Sequence, residues 1–485
     1  MQLSKTKIMS VLQCRKRLWF EVRRPELREI SPATQAAFDT GHSVGDVAQQ
    51  IYGQGQGILI EYGPGLSRAL KDTARLMRAG PGEPIFEATF SHGGVLVRVD
   101  VLLPDGPAWK IVEVKASSKL KDEHLADCAI QAWVFQGLGF DLNAIALAHV
   151  DSSWEYPGGE DYRGLLVEED LTLEAADLQE SVPRWIDLAR EAAAGGMPEV
   201  HVGQHCTTPY LCPFFDQCWP TKVRYPVQGL GGSKERLGHF VTAGYEDIRD
   251  VPATEVESSA PQSRIHRITT TGEPELHEGA RVFVQGLPFP RYYLDFETIA
   301  PAVPIWPGTH PYETQVFQWS CHIEQSDGSL RHEEFLDLSG EAPMRPVAES
   351  LIEMLGTEGP ILMYTSYEAR VIRGLADRFP DLAPALEAIL DRLVDLHPVV
   401  KENYYHPDML GSWSLKAVLP TITPEIDYSA LEEIQEGTAA SNGYLEAIDS
   451  GTSAERREEL RARLLKYCRL DTEAMVRVLQ FLGRS

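Results

Sequence analysis

Two strings in this chain gather acidic side chains in the way that hydrolysis of a phosphate ester requires. The first is Arg98-Val99-Asp100, twelve intervening residues, and Glu113-Val114-Lys115. On a strand, successive side chains alternate faces, so Glu113 and Lys115 share one, and a hairpin lays Asp100 beside them. Phosphodiester cleavage needs a hard divalent cation to polarise the phosphate and acidify a water, and carboxylate oxygens suit magnesium or manganese. Lys115 is then placed to orient the nucleophile or balance charge. His42, in Gly41-His42-Ser43-Val44-Gly45, offers an imidazole ligand that tilts the preference toward manganese. Gln131, in the helix expected after Lys115, is a group to position nucleic acid or water. Taken alone, a Glu-x-Lys is more often an ion pair on a solvated strand face, and the cysteines weigh against that here.

The second string is Tyr293-Leu294-Asp295-Phe296-Glu297-Thr298, which puts Asp295 and Glu297 on one strand face. Near the C-terminus, Tyr467-Cys468-Arg469-Leu470-Asp471 spaces a phenol and a carboxylate at i, i+4 on one helix face. Between them, Tyr364-Thr365-Ser366-Tyr367-Glu368 carries one further acidic residue, Glu368. Asp395 is another acidic candidate, and Ser412-Trp413-Ser414-Leu415-Lys416 reads as a helix start.

Three of the seven cysteines, Cys206, Cys212 and Cys218, lie in HCTTPYLCPFFDQC at intervals of five residues, and Cys14 stands far upstream. In a reducing compartment such a set is a metal site before it is a disulfide framework. Four thiolates suit either a 4Fe-4S cluster or structural zinc, and the loose spacing favours iron-sulfur over a zinc knuckle. Cys128, Cys321 and Cys468 read as buried free thiols.

These residues need elements to hold them. Apolar periodicity predicts a helix from Leu3 to about Glu26, with Ser4 as its cap and Cys14 on or near it, and a second helix after Ala36. Three β-rich runs follow, Ile85 to Phe90, Val95 to Leu103 and Trp109 to Lys115, joined as a meander. A helix at Glu123 to Leu138, a strand at Ala144 to Val150 and a long helix at Leu173 to Ala194 complete the first half. The spacing predicts domains at 1–223 and 288–485, separated by a weakly structured connector at 224–287 with a short helical piece. In the second half, strands at Tyr292 to Phe296, Gln315 to Ile323, Leu330 to Leu336 and Pro360 to Tyr364 mix with helices at Pro346 to Leu355, Glu368 to Arg378 and Ala454 to Leu482, an α/β pattern.

Length agrees with two domains, since 485 residues exceed what one core usually serves. The 43% hydrophobic and 24% charged content is that of a globular chain. No apolar run is long enough to span a bilayer, so a cytoplasmic location and no membrane partner are expected. The formal charge of −26, from 45 basic and 71 acidic residues, argues against a protein that grips a phosphate backbone over its whole surface. Basic residues confined to a channel would reconcile it with a nucleic-acid substrate.

Asp100, Glu113-x-Lys115 and the later Gln131 resemble the RecB-like PD-(D/E)XK nucleases, although Val99 rather than proline precedes Asp100. One cysteine before this core and three after it is similar to the iron-sulfur branch of that group, which includes the CRISPR adaptation and AddB-type enzymes. The string Leu12-Gln13-Cys14-Arg15-Lys16-Arg17-Leu18-Trp19 resembles the start of that branch. The second half resembles the RNase H-like DEDDy exonucleases, with Glu368 where aspartate is expected. The whole order is similar to a bacterial family in which the two are fused. The resemblance implies a restriction-endonuclease-like domain with a 4Fe-4S cluster on Cys14, Cys206, Cys212 and Cys218, with magnesium or manganese on His42, Asp100 and Glu113 and Lys115 as catalytic lysine. It implies a second set of ligands in Asp295, Glu297, Glu368 and Asp471, with Tyr467 orienting water. The expected function is a metal-dependent nuclease acting on single-stranded DNA or DNA ends in repair or defence, with DNA favoured over RNA and protein partners in such a complex. The competing readings are a non-catalytic or partner-dependent scaffold and an RNA-directed 3′–5′ exonuclease.

Overall fold

The computed structural model describes residues 2–63, 65–80, 82–423 and 437–484. It is mixed α/β and divides into two compact units, Met1–Trp219 with Pro301–Glu313, and Pro220–Ala300 with Thr314–Ser485.

The first unit is built on a seven-stranded sheet. Its centre is an antiparallel meander of β3 (Ile85–His92), β4 (Val95–Asp105) and β5 (Ala108–Lys115). The β3–β4 turn is Gly93-Gly94, both at positive φ (58° and 82°), the conformation a tight hairpin needs and glycine adopts without a Cβ penalty. After α5 (Asp122–Gly137), β6 (Leu142–Val150) returns parallel to β5, and β7 (Leu166–Asp170) adds antiparallel to it. At the other edge β2 (Ile58–Leu59) pairs with β3, while β1 (Leu3–Ser4) joins the start of β4. Val97, Val99, Ile111, Ile145 and Leu147 from the sheet and Cys128, Ile130 and Phe135 from α5 share one buried core. The other helices are α1 (Lys5–Gln13), α2 (Arg15–Arg23), α3 (Pro32–Gly53), α4 (Leu66–Ala79), α6 (Thr172–Gln179) and α7 (Val182–Ala194).

Two of these elements differ from the sequence expectation. The N-terminal helix is broken at Cys14, whose backbone is extended (φ −163°, ψ 123°). The second helix takes its own course because Phe20 stacks on Phe214 of the cysteine segment, with ring centroids 5.2 Å apart, a contact invisible to local periodicity. The long helix at 173–194 is two helices, because Pro183 sits in the first turn of α7, where its missing N–H is no loss, rather than inside a continuous helix.

The second unit begins with helices where weak structure was expected: α8 (Lys234–Thr242), α9 (Ala253–Val256), α10 (Ala260–Thr271) and α11 (Glu278–Gly286). They bury Leu237, Phe240, Val256, Ile265, Ile268 and Ala280, so residues 224–287 are part of the unit and not a connector. A two-residue strand within them, β8 (Glu275–Leu276), precedes the main sheet. That sheet has the order β11-β10-β9-β12-β13. Its strands are β9 (Arg291–Ile299), β10 (Gln315–Glu324), β11 (Leu330–Leu336), β12 (Ile361–Met363) and β13 (Leu393–Asp395). β9, β10 and β11 are antiparallel, and β12 and β13 run parallel to β9. β14 (Tyr404–Tyr405) pairs with β8. Helices α12 (Met344–Leu355), α13 (Tyr367–Arg378), α14 (Ala383–Leu390), α15 (Leu396–Asn403), α16 (Leu415–Ile422), α17 (Gly437–Ile448) and α18 (Ala454–Leu482) complete it. The segment Pro301–Glu313 belongs to the first unit, where Ala302 packs with Val44, Val47 and Val150 and the Tyr312 hydroxyl donates to the Ala116 carbonyl. Among the described residues no helix is long and apolar enough to cross a membrane.

Candidate active sites

Strand register assembles the first site. The pairs Phe86↔Val101 and Ala88↔Val99 set Glu87 opposite Asp100, and Val101↔Val112 sets Asp100 opposite Glu113. Main-chain pairing of β4 with β5 stops there, and the Asp100 carboxylate takes its place by accepting the Val114 N–H at 2.8 Å. Lys115 Nζ lies 2.5 Å from Glu113 Oε1 and 2.9 Å from Asp127 Oδ2. Gln131, one turn after Asp127 on α5, donates to Glu113 Oε2 at 2.5 Å and to Asp127 Oδ1 at 2.9 Å. Its own Oε1 is buried without a hydrogen-bond partner, an acceptor left over beside the carboxylates.

Three members of this group were not read from the sequence. Lys5 Nζ reaches Glu113 Oε1 at 2.9 Å and Asp127 Oδ1 at 2.6 Å from the first residue of α1. Asp127 and Glu87 were read only as parts of a helix and a strand. Glu87 holds a left-handed backbone (φ 57°) within β3, an unfavourable conformation for glutamate of the kind that collects at functional sites, and it pairs with Arg98 at 2.7 Å. A charged residue inside the apolar run Ile85-Phe86-Glu87-Ala88 was the available signal.

The electrostatics follow from burial. Burial first, then the charge of Glu113, pushes the Asp100 carboxyl up to about 8. Burial acts the same way on Asp127, but Lys115 and Lys5 outweigh it and hold that carboxyl far below the usual range. Burial alone would lower both ammonium groups, yet Asp127 and Glu113 keep Lys5 and Lys115 above the ordinary lysine value. His42 is exposed on α3, and of the carboxylates it acts on Glu87. The buried stripe of that helix is Val44, Val47 and Ala48, and His42 lies on the other side.

The four cysteines of the sequence pattern line a single pocket with Lys16, Arg17, Phe20 and Phe214. Cys14 enters it from the break between α1 and α2. The other three come from a segment of short 3₁₀ turns, Gln204–Cys206 and Phe215–Gln217, closed by a 2.9 Å hydrogen bond from the Cys212 N–H to the Cys206 carbonyl. Burial, foremost, and the neighbouring thiols raise Cys14 and Cys218 and push Cys212 up to about 11.

In the second unit Asp295 and Glu297 project from β9, Glu368 from the first turn of α13, and Tyr467 and Asp471 from α18. Cys468, read from sequence as a buried thiol, is part of this group: its Sγ lies 3.5 Å from Asp295 Oδ2, and the ligand atoms of Asp295, Glu297 and Cys468 all fall within 4.8 Å of one another. Burial first, then Asp471, Glu297 and Glu368, holds the Asp295 carboxyl well above its usual range, and burial followed by Asp471 does the same to Glu297. Glu368 is pushed up to about 8, chiefly by burial, and its Oε2 is buried without a hydrogen-bond partner. Lys416, at the start of α16, tempers the charge on Glu297 and stands 3.4 Å from the Tyr467 hydroxyl. Asp395 caps α15, accepting from the His397 N–H at 2.9 Å.

Crowded carboxyls of this kind have a consequence for stability. With folded-state pKa values above the unfolded ones, the folded chain holds protons between pH 4 and 8 that the unfolded chain has released, so stability falls as pH rises through that window. In EDTA the melting temperature is expected to drop steadily from pH 5 to pH 8. A pH-independent melting temperature would contradict raised carboxyl pKa values in the folded chain.

Residues 292–414 match the family model of a domain of unknown function, DUF2779, a stretch that includes Asp295, Glu297 and Glu368. No curated protein matches the chain. A solved structure titled "Crystal structure of SSO0001" is similar at 16% identity, over 46% of this chain and 87% of that one, with a TM-score of 0.23, too low a likeness to argue from.

Proposed function

We propose that this chain is a metal-dependent nuclease with two sites, hydrolysing phosphodiester bonds of single-stranded DNA or DNA ends. The observation that carries the reading is that each unit collects carboxylates from distant parts of the sequence around a lysine or a tyrosine. On this reading the first unit is a RecB-like PD-(D/E)XK domain of the iron-sulfur branch, and the second an RNase H-like domain of DEDDy type.

The residues fit the groups this requires. Asp100 and Glu113 would hold magnesium or manganese in the first unit, with Glu87 beside them and the unpartnered Gln131 Oε1 at hand. Asp295, Glu297, Glu368 and Asp471 would do so in the second, where the unpartnered Glu368 Oε2 is a donor in want of a cation. The metal would supply charge to the phosphate and a more acidic water. Lys115, paired with Glu113 and Asp127, offers a donor to the attacking water or the phosphate. Gln131 fixes the rotamer of Glu113, and Tyr467, with Lys416 close to its hydroxyl, orients water in the second unit. Cys14, Cys206, Cys212 and Cys218 would hold a 4Fe-4S cluster, whose negative charge Lys16 and Arg17 are placed to offset.

The test is cleavage of end-labelled single-stranded DNA, and of the matched RNA, by anaerobically purified protein with manganese or magnesium. Glu113→Ala and Asp295→Ala are each expected to remove a different class of products. A wild type that leaves both polymers intact would overturn the reading.

A further inference from the structure

We propose that Cys468 is a metal ligand, and that Asp295, Glu297 and Cys468 form a mixed oxygen–sulfur site that takes a zinc-class divalent ion in preference to magnesium. The inference deepens the reading of the second unit as a metal-dependent site, and rests on that reading only for what the ion does there. The motif that marked Tyr467 and Asp471 gave Cys468 no role, because a cysteine inside a helix is most often a small buried apolar side chain.

Geometry sets this cysteine apart. It is fully buried on α18, and its Sγ meets polar atoms of β9, 3.5 Å from Asp295 Oδ2 and 3.8 Å from the Asp295 carbonyl oxygen. The ligand atoms of Asp295, Glu297 and Cys468 all lie within 4.8 Å of one another. A thiolate and a carboxylate that share a tetrahedral zinc, with bonds of about 2.3 and 2.0 Å, stand about 3.5 Å apart. The sulfur and Oδ2 therefore already have the spacing of two atoms on one ion.

Glu297 points to a ligand independently. It is only 7% exposed, and among the described residues its carboxylate forms no hydrogen bond or ion pair, although it converges on the other two ligand atoms. A buried carboxylate without a partner is costly, and a cation relieves that cost. Asp295 is only partly buried, so the group is not sealed from solvent. Cys468 and Asp471 are three residues apart on α18 and share its face, so the sulfur sits on the side of the helix that carries the acidic residue.

The donor set decides the class of ion. Magnesium binds through oxygen and keeps its waters, whereas thiolate selects zinc and similar ions of the first transition row. The metal–sulfur bond forms as the thiol proton leaves to solvent.

The experiment uses the full chain, purified anaerobically with its Cys14, Cys206, Cys212 and Cys218 site filled, and adds cobalt(II) as an optical stand-in for zinc. A thiolate-to-cobalt charge-transfer band in the near ultraviolet is expected in the wild type. Cys468→Ser keeps a donor to Asp295 but supplies no thiolate. In it the band should be absent, and zinc affinity, read by competition with a chromophoric chelator, should fall about 10- to 100-fold, the loss that removing even a group behind the ligands produces. Glu297→Gln leaves every thiol in place and should weaken cobalt binding and the band together, which decides the matter should Cys468→Ser not fold. Absence of the band from the wild type overturns the proposal, as does a band indifferent to Glu297, which would belong to other cysteines. Wild-type zinc affinity in Cys468→Ser also overturns it and leaves Cys468 as a buried donor to Asp295. If Asp295-dependent cleavage stands and no band forms, this inference falls alone; if the band forms and Asp295→Ala changes no products, only the nuclease reading of the second unit falls.

Discussion

Lys115→Met is expected to lower cleavage at the first site by about 10²- to 10⁴-fold, the span associated with losing a positioned proton-transfer or charge-stabilising group, while the protein remains folded. Methionine keeps much of the apolar stem. Lys5 still bonds both Glu113 and Asp127, so neither buried carboxylate is left without a cation. Manganese affinity should hold or rise, since one competitor for the Glu113 oxygens has been removed. The measurement is a single-turnover rate in an Asp295→Ala background, so that only the first site is read, paired with manganese binding by EPR. A wild-type rate in the variant would remove Lys115 from the chemistry.

Cys212→Ser is expected to strip iron and sulfide from the protein and to destabilise the first unit selectively. The segment from Gln204 to Cys218 has no strand and only short 3₁₀ turns, and its apolar support is the small cluster of Phe20, Phe214, Trp19 and Leu27. If the proposed cluster is present, its metal–thiolate bonds would compensate the entropy of ordering the loop, and in small structural zinc sites such bonds supply ~10–16 kcal/mol. Losing even about 5 kcal/mol should lower the unit's melting temperature by about 10–20 °C. The transition of the second unit, followed by differential scanning calorimetry, should not move. Zinc found in place of iron would sink the cluster assignment but keep the stapling role. An unchanged first transition in Cys212→Ser would sink both.

Much of each site was legible because it rests on local geometry. Asp100, Glu113 and Lys115 fall together because side chains alternate along strands and one meander joins them. Asp295 with Glu297, and Tyr467 with Asp471, share faces through spacings of two and four residues. The cysteine motif singled out Cys14, Cys206, Cys212 and Cys218 without any coordinate. The break at Cys14 was not legible, since a helix interrupted at one residue keeps nearly the same apolar period, and residues 224–287 read as weakly structured, with one short helical piece, because their short helices are interrupted by turns.

Which side chains share an element's face follows from the order of residues, since φ, ψ and the periods of 2 and 3.6 residues are properties of the backbone alone. Tertiary structure decided which faces meet. Register across β3, β4 and β5 brought Glu87 to Asp100, the placement of α1 brought Lys5 to Glu113 over more than a hundred residues, and the fold turned His42 toward solvent. It also set Cys468 against Asp295. These contacts come from packing between segments far apart in the chain, and no local pattern encodes a partner that only burial of the core selects.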